Sequence, residues 1–111
     1  MTSLNDKLRA FGIGLTAISP NCYHYWQTGM VLPYIVWYEL GEESALAGNN
    51  KKQEQAISMA VHLFTKTEFD QLVDAVQEYL DGTAGTSWAL TSAQYEDETG
   101  LIHYEWSVII A

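Results

Sequence analysis

The sequence predicts an α+β domain: a single, mostly antiparallel sheet with helices packed on one face, in the order α-β-β-β-α-β-β. Two stretches carry that expectation. Between Glu54 and Leu80, an apolar run of period 2 passes into one of helical period with almost no loop between them. Two further alternating runs, Ser87 to Tyr95 and Leu101 to Ile110, close the chain as a hairpin around an acidic turn. A chain of 111 residues has room for one domain, residues 1–111.

The elements follow in order. Ser3 caps a first helix, with Asp6 three residues on as capping-box partner. Leu4, Leu8 and Phe11 make its apolar stripe, and Gly12 and Gly14 are expected to end it. Ser19-Pro20-Asn21 reads as a turn, Cys22 to Trp26 as a short aromatic strand, and Gln27 to Pro33 as a loop. Tyr34 to Leu40, rich in aromatic and β-branched residues, is a strand. Gly41 to Gln53 is polar, contains two glycines and an Asn-Asn pair, and has no period. It is expected to be an exposed loop, either functional or a mobile hairpin tip.

In the central unit, Ile57, Met59, Val61 and Leu63 share one face of a strand. Thr65 is the expected N-cap of the next helix, with Glu68 completing a capping box. Phe69, Leu72, Val73, Val76 and Leu80 form the stripe that covers the sheet, Asp70, Asp74 and Glu78 face water, and Asp81-Gly82 ends the helix. After a linker, Gly82 to Gly85, come the hairpin strands and their turn, Glu96 to Gly100. In the last strand Ile102, Tyr104, Trp106, Val108 and Ile110 share the apolar face.

Composition excludes several functions. Fourteen acidic residues against five basic ones give a formal charge of -9, which opposes nucleic-acid binding and docking on an anionic membrane. A lone cysteine, Cys22, allows no internal disulfide and fits a cytosolic setting. The first residues, MTSLNDKLRAF, lack the basic start and apolar run of a signal peptide, and no window is long and apolar enough to span a bilayer. Four Trp and seven Tyr exceed what a small core accommodates, which suggests a partner interface.

Chemical motifs are sparse. His24, His62 and His103 each fall within an expected strand and read as satisfied sheet histidines; Cys22-x-His24 would supply two metal ligands on one side of a strand, and a zinc site needs more. No metal or cofactor is expected. Glu42-Glu43 and Glu96-Asp97-Glu98 lie at expected loop tips, where solvent keeps carboxylates ordinary. Neither a nucleophile elbow nor a phosphate-binding glycine loop occurs. Cys22 has no basic neighbour to activate it and reads as a small buried apolar residue. The residues by themselves describe a binding protein and no enzyme.

The segments YIVWYELGEE (34–43), NNKKQEQAI (49–57), LFTKTEFDQLVDAVQEYL (63–80) and SWALTSAQYEDETGLIHYEW (87–106) resemble small proteins of tailed bacteriophages and prophages of Gram-positive hosts, encoded near the junction of the head and tail modules. They are similar to the tail terminator and tail-to-head joining (tail completion, minor tail) proteins of long-tailed phages, from about Tyr23 onward. The resemblance implies an α+β fold and a non-enzymatic structural virion protein that forms a ring, commonly a hexamer. Its implied partners are sister copies, the tail tube protein and the head connector proteins. Its implied place is the tail-head junction of the virion, after assembly in the host cytoplasm. No functional position transfers residue by residue.

A ring needs a head-to-tail contact that closes. The expected contact positions are Glu42, Glu43, Asn49, Asn50, Lys51 and Lys52 in the long loop, with Asp97 and Glu98 in the last turn. Six copies at -9 each would carry about -54 charges, so aromatic contacts must outweigh self-repulsion. Acidic residues lining the bore would let DNA slide without sticking. Two other readings stand beside this one: a soluble adaptor binding one protein as a monomer or dimer, and a small enzyme or ligand-binding domain using His103 and Glu105, which lie at i, i+2 on one strand.

Overall fold

The computed structural model describes residues 2–26, 28–29, 31–48 and 51–111, with the backbone alone for 44–48 and 51–53. Among these residues the elements are helix α1 (Leu4–Ile18), strands β1 (Cys22–His24), β2 (Tyr34–Gly48) and β3 (Lys51–Thr65), helix α2 (Gln71–Gly82), and strands β4 (Thr86–Glu96) and β5 (Leu101–Ile110). They form one sheet in the order β1-β2-β3-β5-β4. Every neighbouring pair is antiparallel except β1 with β2. The α+β class and the element order are those the sequence predicts.

The core lies between the two helices and one face of the sheet. Met59, Val61 and Leu63 of β3 and Trp106 and Val108 of β5 are fully buried there, against Leu15 of α1 and Val76 and Leu80 of α2. Each such side chain contributes about 1.5–3 kcal/mol by leaving water. Leu72 and Val73 pack at the margin of the same cluster.

Helix α1 starts where Ser3 accepts the Asp6 N–H, 3.1 Å away. It then runs through Gly12 and Gly14, which were expected to end it. These glycines let large rings approach the helix. A Cβ on Gly12 would sit 2.6 Å from Trp37, and one on Gly14 would sit 2.3 Å from Tyr79. Tyr79 Oη uses that approach to donate to the Phe11 carbonyl at 3.0 Å.

Helix α2 begins later than expected. Thr65 is still a ladder residue of β3, opposite Ile102, and is buried, so it cannot serve as N-cap. Its hydroxyl donates to Asp70 Oδ2 at 2.6 Å, while Asp70 Oδ1 accepts the Leu72 N–H at 2.9 Å. Asp70 is therefore the cap and not a solvent-facing residue. Phe69 leaves the expected stripe: it has φ +58° and is 88 % exposed. Glu68 lies in the connecting segment, outside any capping box.

Two further boundaries move. β1 ends at His24, because Tyr25 turns away with φ +77°. The described part of the expected long loop is strand: β2 and β3 pair as far as Gly48 opposite Lys51, with register shifts at Glu39/Gly41, Glu42/Ser44 and Leu46/Ala47. Glycine and small residues marked this segment as loop, yet a bulged strand tolerates them.

β5 pairs with β3 only from Ile57 to Thr65, so among the described residues the hairpin beyond Ile57 has no third strand. This two-stranded arm lengthens the molecule. The radius of gyration is 15.1 Å, against about 13 Å for a compact chain of this length. The principal extents are 54 × 23 × 23 Å.

Candidate functional site

Residues alternate across a strand, so the face opposite the helices collects what the core does not take. In β3 these are His62 and Phe64; in β2, Tyr34, Val36 and Tyr38; in β5, His103 and Glu105. The cross-strand register sets Phe64 between Tyr34 and His103, and His62 between Val36 and Glu105. Their rings form a continuous ladder. Tyr34 and Phe64 stack with centroids 4.9 Å apart, Phe64 and His103 at 4.2 Å, His103 and His62 at 5.0 Å, and His62 and Tyr38 at 5.5 Å. Tyr25 and Trp26 rise beside the ladder and wall an open groove of about 320 Å³. Trp26 is 67 % exposed.

At the centre of the ladder, three groups that bind protons and metals converge. His62 Nδ1 lies 2.8 Å from His103 Nε2 and 3.9 Å from Glu105 Oε1, and His62 Nε2 lies 3.0 Å from Tyr38 Oη. Burial lowers the His62 pKa from its usual value; the Glu105 carboxylate opposes that shift, and His103 adds to it. Burial thus disfavours the charged form of His62, whose two ring nitrogens face His103 and Tyr38. The sequence showed His103 and Glu105 on one strand. It gave no signal for His62 beside them, because register between β3 and β5 makes that contact.

Cys22 and His24, the other pair considered, share a second groove of about 650 Å³ between α1 and the β1 edge, lined also by Leu8, Gly12 and Trp37. His24 stacks on Trp37 at 4.0 Å and pairs through Nε2 with Glu39 Oε2 at 2.8 Å. Burial pushes the Cys22 thiol pKa up, with a smaller opposing effect from Thr16, which disfavours the nucleophilic thiolate. Cys22 is only half buried, on the wall of this groove and outside the core centre.

The expected contact positions fall at opposite ends of the molecule. Glu42 and Glu43 are exposed at the base of the arm, with Glu42 opposite Ile57 and accepting from Gln55 Nε2 at 3.4 Å. Lys51 and Lys52 lie at its tip, opposite Gly48 and Ala47. Asn49 and Asn50 lie outside the described residues. Asp97 and Glu98 are exposed in the β4–β5 turn, next to the Glu96–Leu101 pair. That turn sits at the Thr65 end of β3, and the arm leaves from the Ile57 end. The long axis thus has two lysines at one end and an acidic turn at the other.

The sheet also ends in two unlike edges. Among the described residues β4 pairs only with β5, which leaves its outer edge open over Thr86–Glu96. Among the described residues β1 covers β2 only at Ile35, Val36 and Trp37, which leaves the outer edge of β2 open beyond them. Neither lysine nor proline blunts β4, whose one charged residue is Glu96. No protein-family model matches this chain, and no curated protein matches it either.

Proposed function

We propose that this chain is a structural virion protein of a long-tailed phage or prophage, which assembles with its own copies into a ring at the tail-head junction. Its partners in that role are sister subunits, the tail tube protein and the head connector proteins. The observation that carries the proposal is the pair of open, unlike sheet edges, β4 on one side and the β2 arm on the other.

An edge strand with unpaired N–H and C=O groups is a template for another strand. Joining the β4 edge of one copy to the β2 edge of the next is a head-to-tail contact, and such contacts close into rings when the rotation per subunit permits. A two-stranded hairpin is marginal in water by itself, so the arm gains most by lying against a neighbour. Its lysine-bearing tip and the acidic turn at the other end favour a head-to-tail order over a symmetric dimer. The resemblance to tail terminator and joining proteins supplies the setting, and the charge of -9 keeps nucleic acid from being held in the bore.

Electron microscopy of the purified full chain, alone and with the tail tube protein encoded beside it, tests this reading. Closed rings, free or seated on tube ends, are the expected result. Single small particles under both conditions would overturn it in favour of an adaptor.

A further inference from the structure

We infer that His62, His103 and Glu105 form a binding site for a divalent transition metal, with Zn2+ the ion best matched, on the face of the sheet turned away from the helices.

The ligand atoms already cluster. One ring nitrogen from each of His62 and His103 and a Glu105 carboxylate oxygen all lie within 4.8 Å of one another. Metal–ligand bonds of about 2.0–2.2 Å around a tetrahedral zinc put its ligands about 3.4 Å apart. The two observed separations from His62 Nδ1, 2.8 Å to His103 and 3.9 Å to Glu105, bracket that value, so each must change by roughly half an ångström. Glu105 has the freedom to move, because its side chain is 40 % exposed.

The donor set selects the ion. Two imidazoles and a carboxylate suit zinc and its neighbours, whereas magnesium and calcium prefer oxygen alone. The close approach of His62 and His103 puts one shared proton between two nitrogens, each of which can turn a lone pair to a cation. The ion takes that proton's place, with the His62 proton on Nε2 and the His103 proton on Nδ1. Tyr38 Oη then accepts the His62 Nε2–H, the outer-shell contact that metal-bound histidines generally make. Phe64, stacked on His103 at 4.2 Å, walls one side of the site. Three protein ligands leave a fourth position for water. The two strands joined are β3 and β5, so the ion clamps the register at the centre of the sheet. The site lies within one chain and does not depend on ring formation.

Titrating the chelator-stripped full chain with Co2+, and then displacing it with Zn2+, tests the site. One equivalent of Co2+ with the intense visible bands of a low-coordinate ion, displaced by one equivalent of Zn2+, is expected. Tyr38→Phe should weaken affinity by roughly 10–100-fold, and His103→Ala and Glu105→Gln by at least as much. His24→Ala, outside the cluster, should leave it unchanged. Glu105→Gln is nearly isosteric at a half-exposed position, and circular dichroism checks that each variant keeps its fold. The absence of stoichiometric binding by the folded wild-type chain would overturn the inference, and so would binding that survives both His103→Ala and Glu105→Gln.

Discussion

The indole N–H of Trp106 donates to Gln77 Oε1 at 3.1 Å, so one hydrogen bond crosses directly from the sheet to helix α2. Trp106 is fully buried, and Gln77 reaches in from the half-buried side of the helix. A buried indole needs a partner for its N–H, and here the helix brings it. Gln77→Ala should cost about 1–3 kcal/mol by orphaning that donor. Urea denaturation checks it: the midpoint should fall with little change in slope.

Gly12 makes a second helix-to-sheet contact sensitive to a single methyl group. In an exposed helix interior, Gly→Ala stabilises by about 1 kcal/mol. Here the added Cβ meets the ring of Trp37 at 2.6 Å, and Trp37 is itself buried and pinned by Phe11 and His24. Gly12→Ala should therefore reverse the usual sign and destabilise by about 1–3 kcal/mol, read as a lower thermal midpoint.

The arm should be separable from the fold. Replacing residues 44–54 by Asn-Gly leaves the β3–β5 register, which begins at Ile57, and the β1–β2 pairing untouched. The shortened chain should keep its cooperative thermal transition and lose self-association, as seen by sedimentation. Lys51→Glu with Lys52→Glu should weaken association without changing monomer stability by more than about 0.5 kcal/mol, as expected of surface positions.

Alkaline pH should destabilise the protein through Cys22 and Tyr79. Burial raises both pKa values, opposed in part by Thr16 at Cys22 and by Thr83 at Tyr79. A pKa raised by folding means that the unfolded chain releases its proton first. The stability tied to these groups is thus complete below their ordinary values and is lost as pH rises through the folded ones. Urea midpoints should fall as pH rises above about 8.5, the ordinary thiol value, and less steeply in Cys22→Ala, whose side chain does not titrate.

The layers of the fold were legible because their signals are periodic. Alternation placed Met59, Val61, Leu63, Trp106 and Val108 on the core face, and the helical stripe placed Val76 and Leu80 against them. What escaped were features set by contacts distant in sequence. Gly12 and Gly14 look like helix stops until Trp37 and Tyr79 are seen to need their space. Thr65 looks like a cap until its pairing with Ile102 is known. The arm looks like loop because its sequence, polar and interrupted by glycines, carries no apolar alternation to mark a strand. At the outer face, His103 and Glu105 could be related by spacing, but His62 joins them only through the β3–β5 register.

Self-association is the claim on which the functional account rests, and the mass of the full chain in solution tests it most directly. Light scattering across a wide concentration range, with and without the tail tube protein, should give a single closed assembly; six copies of the 12.5 kDa chain amount to about 75 kDa. A mass that stays at that of one or two chains under every condition would contradict the account.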